Sequence, residues 1–373
     1  MIECGVCKNT SEAGAFLFRN MPPIAQNLPD EAALSSDSGI NLKLCSCPYC
    51  GTVFLDAEPV GYYREVIRAV GVSEEIKSAK YKQLSEFCGK YDLADKRVIE
   101  IGCGDGAFLE ILAKCTPNAC GLEYSAAAVE ECRRKGLNVY QGFIEGEDYR
   151  VGDERFDGFL LLMFLEHIPK PRPFLKGLYH NLAEGATGLI EVPDAEMILS
   201  RGLYAEIMRD HLYYYNLPSL SLLLNSCGFD IIENNTIRGG YVLGLTVRKR
   251  AAAGFGEIAG YIETIRARFQ EVLCQYEEVV VWGASHQTFF VLSQIGETGK
   301  ISRIVDSAEF KQGRYSPVTH IPICQPSPDH LGNGAVIVCA GSYNEEIANI
   351  LRSEYGFGGD VYIFKTDALV KHL

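Results

Sequence analysis

Residues 98–106 read Val-Ile-Glu-Ile-Gly-Cys-Gly-Asp-Gly, an apolar run that breaks into three alternating glycines. Val98, Ile99 and Ile101 have the composition of a buried strand, and Phe108, Leu109, Ile111 and Leu112 begin a helix just after the turn. Glycine at 102, 104 and 106 lets the backbone turn sharply and approach a ligand with no Cβ in the way. The same spacing serves dinucleotide enzymes and ordinary tight turns, so its context decides its meaning. A second strand, 119–122, runs into Glu123 about twenty residues on, where an acidic side chain can accept both hydroxyls of a ribose. Residues 138–140, 156–164 and 188–192 read as further strands with helical patterns between them, the alternation that a parallel sheet requires.

Glu100-Ile-Gly-Cys-Gly-Asp-Gly106, then Gly121-Leu-Glu123, then Leu165-Glu-His-Ile-Pro169 resemble class I S-adenosylmethionine-dependent methyltransferases across roughly residues 93 to 250. That resemblance implies an α/β fold with a doubly wound, Rossmann-like core and S-adenosylmethionine as cofactor. It places the backbone of Gly102, Cys103, Gly104 and Gly106, with the acid Asp105, at the methionine end. Phe143 and Ile144 flank the adenine, Met163 and Phe164 lie beneath the sulfonium, and Glu100, Glu123 and Tyr124 complete the cofactor set.

Fourteen cysteines, without a secretory signal or an apolar run long enough to span a bilayer, point to a reducing, cytoplasmic setting rather than a disulfide framework. Most read as small buried apolar residues. Cys4-Gly-Val-Cys7 and Cys47-Pro-Tyr-Cys50-Gly51 differ, because two Cys-x-x-Cys hooks offer four thiolates in the arrangement that tetrahedral zinc requires. Four thiolates leave no open coordination position, so the expected metal is structural; Cys45 is an alternative to one ligand.

After Lys249-Arg250 and a short Ala/Gly stretch, a helix is expected over 257–276, with Ile258, Tyr261, Ile262, Ile265, Phe269, Val272, Leu273 and Tyr276 on one face. Strands at 278–282, 301–305 and 335–339 then predict a smaller α/β domain. The expected organisation is a zinc-binding module to residue 58, a methyltransferase domain at 59–250, a linker helix at 251–277 and a C-terminal Rossmann-like domain at 278–373. The turn containing Ser285 and His286 offers backbone amides to an anion.

Taken whole, the chain resembles the sugar C-methyltransferases of deoxysugar pathways, which act on nucleotide-linked 4-keto hexoses. The motifs are Asp306, Lys311-Gln-Gly313 and His320-Ile-Pro322 near the C-terminus, and Asn20-Met-Pro-Pro23 with Gln26-Asn27 between the cysteine pairs. Asp210-His211-Leu-Tyr-Tyr-Tyr215 matches the family's Glu-His-x-x-Tyr-Phe segment, with aspartate in place of glutamate. The resemblance implies that His211 is the base that removes a proton next to a ketone, that Asp210 orients it or binds the sugar, that His167 faces the substrate, and that Tyr62 or Tyr63 does too. Lys311, Arg314 and His320, with Ser285 and His286, are the expected substrate contacts. Arg64-Glu65 and Arg238-Gly-Gly-Tyr241 depart from the family pattern, which leaves the particular sugar open.

A net charge of −13 with no long basic run argues against a nucleic-acid substrate and favours a small molecule, with no membrane partner. An O- or N-methyltransferase on a sugar nucleotide, or a non-catalytic cofactor-binding scaffold, are the alternatives.

Overall fold

The computed structural model describes residues 1–12, 14–26, 28–65 and 73–372; Asn27 of the motif above lies outside them. The chain divides into two compact units, Met1–Ala251 and Ala252–Leu373. Among the described residues no helix is long and apolar enough to cross a membrane.

The first unit is built on seven strands: β1 (Val98–Ile101), β2 (Ala119–Glu123), β3 (Val139–Gln141), β4 (Phe156–Leu162), β5 (Leu182–Pro193), β6 (Phe229–Ile237) and β7 (Val242–Lys249). Their spatial order is β6-β7-β5-β4-β1-β2-β3. Strands β1 through β5 all run parallel, while β7 is antiparallel to both neighbours. All four residues of β1 are buried, as expected of a central strand covered on both faces. The β6–β7 hairpin was not legible in the sequence, because Phe229–Ile237 carries Glu233, Asn234, Asn235 and Thr236 on an exposed edge.

The cysteine-bearing segment lies within this compact unit. Strands at Gly14–Met21, Ile40–Ser46 and Val53–Leu55 form a small antiparallel sheet, and its fourth strand is Tyr213–Tyr214, supplied by the methyltransferase core. Cys4, Val6, Cys45, Cys47 and Phe54 share one hydrophobic cluster with Tyr213, Tyr215, Phe164 and Phe174. Arg172 donates to the carbonyl of Val6 at 2.9 Å, and the amide of Leu55 donates to the carbonyl of Leu212 at 2.9 Å.

The second unit carries β8 (Val279–Trp282), β9 (Ile301–Val305), β10 (Arg314–Tyr315), β11 (Pro322–Cys324), β12 (Ala335–Val338), β13 (Asp360–Lys365) and β14 (Ala368–His372), in the order β10-β11-β9-β8-β12-β13-β14. The helix expected as a linker runs from Gly256 to Leu273 and belongs to this unit. Its Ile265, Phe269, Val272 and Leu273 pack into the same core as Val279 and Ile304. Ile258, assigned to that apolar face, is exposed, because the first turn extends past the sheet-facing contacts.

Candidate active site

The parallel strands of the first unit deliver their carboxyl ends to one edge, where ligands bind in open α/β sheets. Gly102, Gly104 and Gly106 all have positive φ, at 70, 56 and 83°, a conformation that L side chains rarely adopt. A Cβ on Gly102 would strike the Phe164 ring at 2.5 Å, whereas one on Gly104 would enter open space. Gly104 therefore leaves the loop open at the point where the sequence leads one to expect the cofactor's methionine end. Glu123 is buried and accepts from the amides of Gly104 at 2.9 Å and Ser125 at 2.8 Å, which fixes its carboxylate against the glycine loop. Burial raises its pKa. A recess beside it is lined by Gly102, Glu123, Tyr124, Phe143, Ile144, Phe164 and Phe174. Met163 leaves β4 with φ 52°, the kind of backbone strain that collects at functional sites. Of the expected cofactor residues, Gly102, Glu123, Tyr124, Phe143, Ile144 and Phe164 line this recess, and Gly104 is tied to it through Glu123.

We expect Gly104→Val to abolish S-adenosylhomocysteine binding in calorimetry, since its Cβ would both occupy that open space and strain the backbone. Glu123→Ala should weaken it by about 1.5–3 kcal/mol, roughly 10- to 150-fold, through loss of charge-assisted hydrogen bonds. Unchanged affinity in either variant contradicts this placement.

Two features of this edge were missed in the sequence. Arg64, noticed only as a departure, stands at the recess with its guanidinium 5.1, 5.5 and 5.6 Å from the ring centres of Tyr63, Tyr124 and Phe143, and pairs with Glu145 at 3.2 Å. Lys80, in the helix Glu74–Lys90, forms a buried ion pair with Glu191 of β5 at 2.7 Å, joined by Gln83 at 2.6 Å. A lysine among Lys77, Lys80 and Lys82 reads as a solvated face, so only its partner on a distant strand reveals it.

Immediately after Phe164, a single turn of 3-10 helix, Leu165–His167, presents Glu166 and His167 to His211. The rings of His167 and His211 lie 4.7 Å apart, edge to face. Glu166 and His167 are buried, at 1 and 5 % exposure, while His211 keeps partial access. The Nδ1 of His167 bonds the carbonyl oxygen of Asp210 at 2.8 Å. Burial lowers His167 to about 4, and burial with His167 beside it lowers His211 to about 3, so both imidazoles are neutral at physiological pH. Glu166 is pushed up to about 8 by burial, and neither of its carboxyl oxygens has a hydrogen-bond partner among the described residues.

Of the two roles expected of Asp210, orienting His211 is not what its carboxylate does, and Tyr62 and Tyr63 face different surroundings. The Asp210 carboxylate does not bond His211; its backbone carbonyl orients His167 instead. Tyr62 and Tyr63 diverge: the Tyr62 hydroxyl accepts from the amides of Ala25 and Gln26 and lies near Asp210, whereas Tyr63 packs edge-on against Phe143 at 5.8 Å.

The cluster sets a pH window for stability. The depressed histidines bind fewer protons folded than unfolded, so their contribution is lost as pH falls below about 6.5. Glu166 binds more protons folded, so it destabilises as pH rises from about 4.5 through 8. Two histidines outweigh one glutamate below about 6.5, which puts the cluster's optimum there, with about 1.4 kcal/mol per pH unit for each uncompensated group. Thermal melts without added divalent cation should show Glu166→Gln losing less stability between pH 6.5 and 8.5 than the wild type; equal losses would mean that Glu166 is ionised in the folded chain.

Cys4, Cys7, Cys47 and Cys50 converge with all four sulfurs within 4.8 Å of one another, and Cys45 is not among them. Cys4 Sγ to Cys50 Sγ and Cys7 Sγ to Cys47 Sγ both measure 3.6 Å. Zinc–sulfur bonds of about 2.3 Å in a tetrahedron set sulfurs roughly 3.8 Å apart, so the set fits that ion and excludes a disulfide. Both hooks make the same knuckle. Lys8 N donates to Cys4 O and Gly51 N to Cys47 O, each at 2.9 Å, with Lys8 and Gly51 at φ 65 and 71°.

In the second unit Ser285 caps its own helix by accepting from Thr288 N, and Lys311 is held at 2.9 Å by Asp306, which also accepts from Ala284 N. Ser285 and Lys311 thus each hold an internal contact within this unit. Arg314 is exposed on the edge strand β10, and His320 sits at φ 53° in the following turn. His286 opens the helix that Ser285 caps.

A seven-stranded sheet of this order, with a glycine loop after β1, an acid ending β2 and an open cradle between them, defines a class I S-adenosylmethionine-dependent methyltransferase. Residues 73–234 match the methyltransferase domain family, and residues 250–364 match the C-methyltransferase C-terminal domain. The C-methyltransferase NovU of Streptomyces niveus is 24 % identical over 366 residues, covering 87 % of this chain and 86 % of that protein. A ubiquinone biosynthesis O-methyltransferase of Methylococcus capsulatus is 36 % identical over 86 residues, covering 21 % of this chain and 35 % of that protein. Among solved structures, the plantazolicin methyltransferase BpumL with a desmethylPZN analog and SAH aligns at 17 % identity, covering 48 % of this chain and 86 % of that one, with a TM-score of 0.39. The chain is an S-adenosylmethionine-dependent methyltransferase that carries, in order, a methyltransferase domain and a segment similar to the C-methyltransferase C-terminal domain.

Proposed function

We propose that the chain methylates a carbon next to the ketone of a nucleotide-linked keto-deoxysugar, with His211 as the base. The observation that carries this reading is His211 itself: a neutral imidazole with partial access, packed on His167 at the carboxyl end of β4, one turn from the cofactor recess. Carbon becomes nucleophilic only when a proton leaves it, and a neutral histidine within reach can take that proton. S-adenosylmethionine, when bound, supplies an electrophilic methyl group on its sulfonium. Gly102 to Gly106, Glu123 and Phe143 hold the donor, His167 supports the base, and Tyr62 closes the Asp210 side. The four cysteines hold a structural zinc whose knuckles brace the strand that follows His211.

Incubation with S-adenosylmethionine and a panel of nucleotide-linked 4-keto sugars tests the reading by NMR of the product. A new methyl on the carbon alpha to the ketone is expected; a methyl on oxygen or nitrogen overturns the carbon chemistry.

A further inference from the structure

The unpartnered carboxyl of Glu166 is not used by the chemistry above. It lies fully enclosed, with neither oxygen hydrogen-bonded among the described residues, and its Oε1 is 3.9 Å from His167 Nε2. One ligand atom from each of Glu166, His167 and His211 falls within 4.8 Å of the other two. The His167 ring is already set for coordination: Nδ1 bonded to the Asp210 carbonyl is the proton-bearing nitrogen, which leaves the Nε2 lone pair facing Glu166. Histidines that bind metals are held by such a backbone bond on the far nitrogen. Donors around a tetrahedral zinc stand roughly 3.4 Å apart at bonds of about 2.0–2.1 Å, so the three atoms need to close by only about an ångström.

We propose that Glu166, His167 and His211 form a second cation site, selective for borderline divalent ions such as Zn²⁺ and Co²⁺, and that its occupation silences the enzyme. Two imidazoles and one carboxylate suit these ions better than Mg²⁺ or Ca²⁺, which prefer all-oxygen sets. The silencing half rests on the reading of His211 as base. The lone pair that accepts the substrate proton is the one that the cation takes, so coordination and deprotonation exclude each other.

The test uses the full chain with its thiolate site already filled. Equilibrium dialysis against Zn²⁺, with Co²⁺ absorption as a second readout, should show a second equivalent in the wild type, bound without a sulfur-to-metal charge-transfer band. Glu166→Gln and His167→Gln should each weaken that equivalent at least tenfold while the first is retained; having two variants guards against one that fails to fold. Proton–deuterium exchange into the sugar substrate should stop as the second site fills and recover when a weak chelator removes that ion. Wild type that binds a single equivalent, or variants that bind the second as tightly as wild type, overturns the site. A second equivalent that leaves exchange untouched overturns the silencing and places the base elsewhere, with the metal site intact.

Discussion

Replacing His211 by alanine is expected to slow both methyl transfer and solvent exchange of the substrate's alpha proton by about 10²- to 10⁴-fold. Positioned general bases are typically worth about 10² to 10⁴ in rate, so residual turnover is expected to fall within that range of the wild type rather than to vanish. S-adenosylhomocysteine affinity should be unchanged, because the glycine loop, Glu123 and Phe143 make no use of His211. Exchange with cofactor product present isolates the proton step from methyl transfer. A His211→Ala chain that exchanges at the wild-type rate shifts the base to His167, whose ring lies 4.7 Å away.

Loss of one thiolate has the other large effect. Structural zinc sites contribute apparent free energies of about 10–16 kcal/mol, comparable with the whole stability of an ordinary domain. Cys47→Ser is therefore expected to lower zinc content from one equivalent to none at this site and to unfold the segment before residue 58. The damage should not stay local. Cys4, Cys47 and Phe54 share a core with Tyr213 and Tyr215, and Tyr213–Tyr214 pairs with Val53–Phe54. Because that strand begins two residues after His211, the variant should lose alpha-proton exchange together with thermal stability. A wild-type protein free of zinc by elemental analysis, with its four thiols freely alkylated while folded, overturns the assignment.

Residues 98–123 and the two Cys-x-x-Cys hooks carried most of the fold and two of the ligand sets, because glycine at required positive φ, a buried apolar strand and paired thiolates are local properties that short stretches encode directly. The β6–β7 hairpin was hidden by its polar edge, and the helix 256–273 was read as a linker because periodicity shows that a face is apolar but not which core receives it. The histidine cluster was divided in the same way. Sequence marked His211 and His167 separately, and Glu166 only as His167's neighbour. Tertiary structure alone decided that Glu166 is sealed without a partner, that Asp210 acts through its carbonyl and not its carboxylate, and that Tyr62, not Tyr63, stands on the Asp210 side. The physical reason is that pKa, tautomer and hydrogen-bond partner depend on desolvation and on groups 43 residues away along the chain, as between His167 and Asp210. What a residue is can be read from its own stretch of sequence; what it faces is set by the packing of elements that only the folded chain brings together.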